Sequence, residues 1–218
     1  MALPTMDLPT HELEIPSTKK KIKFRPFLVK EEKVLLIALE SENEKSIRDA
    51  VFGLLKACIS TRIKLENLAT FDLEYIFLNI RAVSVGEIVP MNITCRDDEE
   101  TQVQYNLNLT EAEVIFPEGH TNKIMLSDDL GVIMKYPSFD GFIEGQFAQS
   151  KDMDVIKVVA DSIDQIFQGD EVFDESTTSK KEFLQFVESL TNQQLEKIQA
   201  FFETSPRLEH TFKVTNPK

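Results

Sequence analysis

Polar and apolar residues alternate in two short stretches near the start of the chain, residues 12–15 and 21–25. Such alternation places the apolar side chains of each strand on one face. The sequence Pro16-Ser17-Thr18 between the stretches is typical of a turn. We therefore predict an N-terminal β-hairpin with Phe24 packed beneath it and glutamates of the first strand close to lysines of the second. Pro26 is expected to end the second strand.

A helical pattern follows this hairpin. The segment LVKEEKVLLIALES is apolar almost all round from Val34 to Leu39, which predicts a largely buried helix. Apolar residues recur at helical spacing in residues 47–58 and again in residues 73–80, so two further helices are expected. Gly53 indicates a close helix crossing, and Gly86 is positioned to end the last of these helices.

The pattern changes its period between residues 87 and 126. The runs EIVPMNITCR, TQVQYNLNL, EAEVIFP and HTNKIML predict four short strands that form a small antiparallel β region. After this region a helix capped by Ser127 is expected to continue until Pro137, and a second helix is expected over Lys151–Gln168. The acidic run DEVFDESTT that follows is predicted to be a linker.

Two capping-box patterns open the last helices of the chain, Ser179 with Glu182 and Thr191 with Gln194. These helices are expected to form an antiparallel helical hairpin. The tail LEHTFKV alternates again and predicts an edge strand.

These elements together predict an α+β fold. It consists of an N-terminal β-hairpin, a helical bundle, an inserted small antiparallel β-sheet region, and a C-terminal helical hairpin with an edge strand. The expected organisation is a flexible N-terminus (1–10), a hairpin with a three-helix region (11–86), a small antiparallel β region (87–126), and a helical region with a C-terminal strand (127–218).

Composition is that of a soluble globular protein, with 42% hydrophobic and 28% charged residues among 218. No run of about 18 apolar residues predicts a membrane segment, and the N-terminus lacks the pattern of a signal peptide. The two cysteines, Cys58 and Cys95, are too few for a disulfide framework. A reducing cytoplasm is the expected compartment.

The net charge of −13 argues against a nucleic-acid partner, because binding to a phosphate backbone requires clustered lysine and arginine. The charge is unevenly distributed, however. Residues 17–30 contain basic residues and no acid, whereas residues 140–182 are strongly acidic. Two interpretations remain open, a pair of oppositely charged docking patches and an ordinary solvated surface.

Catalytic motifs are absent from the sequence. The three histidines, His11, His120 and His210, have no partners at the spacing of metal ligands, and no phosphate-binding or nucleophile-elbow motif occurs. Cys95 alone cannot hold a tetrahedral zinc ion. We therefore expect a protein that is not an enzyme and that carries no metal or cofactor. The alternatives left open are a small-molecule hydrolase with an unrecognised site and a generic cytoplasmic adaptor.

Three segments, KKIKFRPFLVKEEKVLLIALES, FDLEYIFLNIRAVSVGE and KYPSF, resemble the baseplate hub assembly protein family of T-even contractile-tailed bacteriophages. The resemblance covers most of the chain. It implies a late, non-catalytic viral protein that helps to build the central hub of the tail baseplate, as a hub component or an assembly chaperone. The implied partners are baseplate hub proteins and possibly tape-measure proteins, met in the host cytoplasm and possibly retained in the virion. Some family members carry extra cysteines, and the isolation of Cys95 here argues against a metal-bound domain.

Two groups of residues are the candidates for contact with a protein partner. One is the basic face of the second strand, and the other is an aromatic loop over residues 136–147, chosen because arginine and aromatic side chains are enriched at interface hot spots. The alternative for the loop is burial against helices of its own chain. The candidates are Lys21, Lys23, Arg25, Tyr136, Phe139, Phe142 and Phe147.

Overall fold

The computed structural model describes residues 7–137 and 155–217. The chain divides into two compact units, and each is treated separately below. The first comprises Met1–Leu65, Phe71–Ile115 and Leu208–Lys218, and the second comprises Glu66–Thr70 and Phe116–Arg207. Helices and small antiparallel sheets occur together in the described ranges, which confirms the α+β class.

The first unit begins with the predicted hairpin. Strand β1 (His11–Glu14) pairs antiparallel with β2 (Lys21–Phe24), so that Glu12 lies opposite Lys23. Ile22 and Phe24 of β2 are buried, which confirms that Phe24 packs in the core. The other edge of β2 is hydrogen-bonded to the chain after residue 57, where Arg25 N donates to the carbonyl oxygen of Cys58 at 3.0 Å.

Three helices follow in the first unit, α1 (Val29–Glu40), α2 (Glu44–Cys58) and α3 (Thr70–Val85). The apolar stripe predicted for α3 is confirmed, because Leu73, Ile76 and Ile80 are all buried. The chain leaves α3 at Gly86, whose φ of +121° favours glycine.

Helix α1 contradicts the prediction that it is largely buried. Of the α1 side chains, Ala38 is buried. Val29 is 81% exposed, and four further aliphatic side chains of this helix are about half exposed. Helix α1 packs against α2, and it presents apolar side chains around a larger part of its circumference than that contact covers. The prediction for Gly53 is also wrong, because a Cβ atom built there meets no heavy atom within 4 Å. No helix of the described residues therefore crosses closely at this glycine.

Four further strands form two small two-stranded sheets. Strands β3 (Ile88–Thr94) and β4 (Gln102–Asn108) form a hairpin. Strand β5 (Glu113–Ile115) pairs with the C-terminal strand β10 (Arg207–Glu209). The strands predicted between residues 87 and 117 are confirmed. The C-terminal strand predicted over residues 208–214 is present only as far as Glu209.

The second unit contains a four-stranded sheet in the order β6-β7-β8-β9. Its antiparallel strands are β6 (Lys123–Met125), β7 (Leu130–Met134), β8 (Ile163–Gln168) and β9 (Glu171–Asp174). Its helices are α4 (Val155–Asp161), α5 (Lys180–Glu188) and α6 (Asn192–Glu203).

Three sequence predictions in this unit are wrong. The segment predicted as a helix capped by Ser127 forms β7. The helix predicted to continue to Gln168 ends at Asp161 and gives way to β8. The predicted acidic linker contains β9. Short apolar runs fit both a helical and a strand period, and here hydrogen bonds to neighbouring strands decide the outcome.

Helices α5 and α6 begin as predicted, because both capping boxes are formed, by Ser179 with Glu182 and by Thr191 with Gln194. Buried side chains from the sheet and the helices make up the core of the second unit. Its members are Leu126, Val132, Met134, Val159, Ala160, Ile163, Ile166, Phe183, Val187, Ile198 and Phe201.

Candidate protein-contact surfaces

The three basic candidates on the N-terminal hairpin differ in their surroundings. Lys21 and Lys23 are exposed, and Lys23 Nζ lies 3.4 Å from Glu12 Oε1 in an exposed ion pair. Arg25 instead forms two parallel hydrogen bonds to Glu31, with Nη1–Oε2 at 3.0 Å and Nη2–Oε1 at 2.8 Å. The structure therefore leaves two lysines on the surface and directs Arg25 toward its own chain.

The Arg25–Glu31 pair fixes the turn from β2 into α1. Glu31 also accepts a hydrogen bond from the backbone N–H of Leu28 at 2.6 Å, and Arg25 donates to the carbonyl oxygen of Pro26 at 2.8 Å. The hydrogen bond between the two side chains raises the pKa of Arg25 and lowers the pKa of Glu31. The sequence placed Arg25 among the candidate contact residues, and the structure shows it in an ion pair with its own chain.

Among the aromatic candidates, Tyr136 lies in the described part of the chain, and Phe139, Phe142 and Phe147 lie outside it. Tyr136 is half-buried in a cluster of rings. Its ring stacks on that of His120, with 5.7 Å between the centroids, and on that of Phe201, with 5.5 Å between the centroids. Tyr136 therefore has a packing role in the second unit.

His120 lies at the centre of this cluster, and its tautomer follows from its neighbours. The hydroxyl group of Thr204 donates to the Ala200 carbonyl oxygen at 2.8 Å, so it accepts the hydrogen bond from His120 Nδ1 at 3.0 Å. His120 Nε2, 3.0 Å from the Tyr136 hydroxyl oxygen, then accepts from Tyr136. Burial lowers the pKa of His120, which is consistent with a neutral ring. The spacing of the histidines in the sequence gave no indication of this cluster.

A further surface, which the sequence patterns did not predict, lies on α1. We call the exposed side chains Val29, Val34, Leu36, Ile37 and Leu39 the α1 aliphatic face. Beside Val34, a groove of about 320 Å³ opens between α1 and α2, lined by Lys30, Glu31, Val34, Asp49, Ala50, Gly53 and Leu54. The apolar run was visible in the sequence, but its exposure was not.

The perturbed ionisable groups have structural explanations. Asp98 accepts hydrogen bonds from the Thr101 backbone N–H and hydroxyl group, and these lower its pKa. Burial raises the pKa of the Cys58 thiol to about 11. Across residues 7–137 and 155–217, no group of three or more His, Cys, Asp or Glu side chains is placed to hold a metal ion. No helix in these ranges is long and apolar enough to span a bilayer.

Fold and surfaces together describe an α+β protein whose most distinctive described feature is an exposed apolar helix. A family model described as "T4 bacteriophage base plate protein" matches residues 8–218. The chain therefore belongs to this baseplate family. No curated protein and no solved structure matches it. The family assigns the chain a structural or assembly role in the phage baseplate, with other baseplate proteins as its contacts, and implies a component of the virion tail.

Proposed function

We propose that the chain acts, without catalysis, in the assembly of the central hub of the bacteriophage baseplate, as a hub component or an assembly chaperone. It binds hub proteins and tape-measure proteins in the host cytoplasm during assembly. The observation that carries this proposal is the α1 aliphatic face, whose five side chains are between 49% and 81% exposed. Large aliphatic side chains left exposed together on one helix are typical of an interaction site.

Transfer of these side chains from water into an interface favours binding. Burial of one aliphatic side chain stabilises by about 1.5–3 kcal/mol when it is complete. Part of the total is lost to the entropy of association, so area alone does not fix the affinity. Five aliphatic side chains on one short helix nevertheless provide a substantial driving force for binding.

The contact residues predicted from the sequence also have proposed roles. Lys21 and Lys23 act as rim charges that accelerate the encounter with an acidic partner, because exposed charges chiefly affect the association rate. Arg25 supports the surface by holding the start of α1 through Glu31. Tyr136, Phe139, Phe142 and Phe147 remain proposed contact residues of the aromatic loop.

The experiment is affinity capture of tail proteins from infected cells by tagged protein, with identification by mass spectrometry. Wild-type protein is expected to recover hub and tape-measure proteins. Leu36→Glu is expected to lose them, and Val172→Glu is the matched control because Val172 is equally exposed, at 53%. The variant Lys21→Glu/Lys23→Glu is expected to recover the same partners more slowly.

Two outcomes would contradict the proposal. Recovery of no tail protein by the wild type would refute a role in hub assembly. Equal recovery by Leu36→Glu and the wild type would remove the α1 aliphatic face as the binding surface.

A further inference from the structure

Four residues form a single stripe along α1. Lys33, Leu36, Ile37 and Glu40 are separated by three, one and three positions, so they lie on one side of a helix with about 3.6 residues per turn. All four are exposed. We call these residues the α1 stripe.

The charges of the α1 stripe are arranged symmetrically about its aliphatic centre. Lys33 precedes Leu36 by three positions, and Glu40 follows Ile37 by three. In an antiparallel copy of the helix, related by a two-fold axis between Leu36 and Ile37, each Lys33 faces Glu40 of the other copy. A parallel copy would place like charges opposite each other. The α1 stripe is therefore complementary to itself in one orientation.

These two charges have no role within the described chain that would explain them. Neither Lys33 nor Glu40 forms an ion pair or side-chain hydrogen bond with another described residue. Glu40 is the last residue of α1, where the negative end of the helix dipole disfavours a carboxylate. A lysine from a second molecule would compensate this unfavourable position.

We propose that the α1 stripe is the interface of a homodimer, in which two α1 helices pack antiparallel. Leu36 and Ile37 of both copies pack around the two-fold axis, and the two Lys33–Glu40 pairs flank them. The inference rests on the proposed function, because it assigns the centre of the α1 aliphatic face, Leu36 and Ile37, to a second copy of the chain and leaves the exposed Val34 and Leu39 beside it for other baseplate proteins. It concerns the first unit alone.

The test is the oligomeric state by sedimentation equilibrium over a range of protein concentrations. Wild-type protein is expected to dimerise. Lys33→Glu and Glu40→Lys are each expected to weaken the dimer by about tenfold or more, since each places like charges opposite each other at two points. The double variant Lys33→Glu/Glu40→Lys is expected to restore it, because the pairing is then reversed but complementary.

Mixing the two single variants gives a more specific test. The Lys33→Glu variant has glutamate at both charged positions of the α1 stripe, and the Glu40→Lys variant has lysine at both. In a dimer of one with the other, both pairs between residues 33 and 40 therefore join opposite charges. Their equimolar mixture is expected to form a heterodimer at concentrations where each variant alone is monomeric. Failure of both the mixture and the double variant to dimerise would overturn the antiparallel arrangement.

A variant at the aliphatic centre of the α1 stripe tests whether a second copy of the chain or the chain itself covers this face. Ile37→Glu is expected to abolish the dimer without changing the midpoint of urea unfolding of the monomer, and Val172→Glu is expected to leave the dimer intact. A large fall in monomer stability with Ile37→Glu would show that the chain covers this face itself and would overturn the inference.

Failure of the inference and failure of the proposed function give different results. A wild-type protein that is monomeric at all concentrations, yet recovers tail proteins through α1, refutes the dimer and supports the hub role. A dimer that follows the charge-swap pattern but recovers no tail protein supports the inference and refutes the hub role.

Discussion

The buried carboxylate of Asp72 accepts two hydrogen bonds from Ser17, a residue 55 positions earlier in the chain. One comes from the Ser17 backbone N–H, with N–Oδ1 at 3.0 Å, and the other comes from its hydroxyl group. Asp72 is completely buried near the start of α3, whereas Ser17 lies in the turn of the N-terminal hairpin. The pair thus connects the turn of the hairpin to α3.

Removal of the Asp72 carboxylate should destabilise the protein. Asp72→Ala leaves the Ser17 N–H without its acceptor, and we expect a loss of about 1–3 kcal/mol in the free energy of unfolding. Asp72→Asn retains one side-chain oxygen and should lose less. Urea unfolding checks both variants, with the exposed Asp49→Ala as the control. Equal stability of Asp72→Ala and the wild type would show that this contact contributes nothing.

The Arg25–Glu31 pair predicts a pH dependence of stability. The pKa of Glu31 is lowered in the folded protein, chiefly by its hydrogen bond with Arg25. A carboxyl group whose pKa is lower in the folded protein than in the unfolded chain stabilises the fold fully at pH values above its unfolded pKa. This stabilisation is lost as the pH falls through its folded pKa. Glu31→Gln should therefore be less stable than the wild type at pH 7, and the difference should shrink toward acid pH.

Measurement of unfolding free energies from neutral to acid pH checks this prediction. Lys23→Ala is the control, because the Lys23–Glu12 pair is exposed and such pairs contribute between about 0 and 1 kcal/mol. A difference between Glu31→Gln and the wild type that stays constant down to low pH would contradict the proposed titration of Glu31.

His120 predicts a second pH dependence, in the second unit. Its pKa is lowered from 6.5 by burial, so the unfolded chain binds a proton more readily than the folded one. The stabilisation is complete above the unfolded pKa and is lost as the pH falls. His120→Phe keeps an aromatic ring but does not titrate. Its stability relative to the wild type should therefore rise below about pH 6.5, and a pH-independent difference would exclude His120 as the cause.

Two glycines predict opposite effects of the same substitution. A Cβ atom at Gly53, in the interior of α2, meets nothing within 4 Å, so Gly53→Ala should stabilise by about 0.5–1 kcal/mol. A Cβ atom at Gly131 would lie 2.8 Å from the Ile124 carbonyl oxygen and against the Phe167 ring. Gly131→Ala should therefore destabilise. Thermal unfolding of both variants checks the contrast, and stabilisation by Gly131→Ala would contradict it.

Local patterns in the sequence determined the elements that depend on neighbouring residues. The N-terminal hairpin, the apolar stripe of α3, the capping boxes of α5 and α6 and the α+β class all follow from spacing and turn chemistry. The same local patterns identified Phe24 as a core residue. Each of these features depends on interactions between residues a few positions apart or on a regular spacing of apolar residues.

Tertiary structure decided the features that depend on distant neighbours. The segments around Val132 and Ile166 are apolar enough for a helix, but they form β7 and β8 because they can pair with each other. The sequence did not distinguish Arg25 from the neighbouring lysines, whereas the folded chain pairs it with Glu31. The sequence determined that α1 is apolar, but whether other elements surround a helix depends on how the whole chain packs. For this reason only the tertiary structure showed that its aliphatic face is exposed.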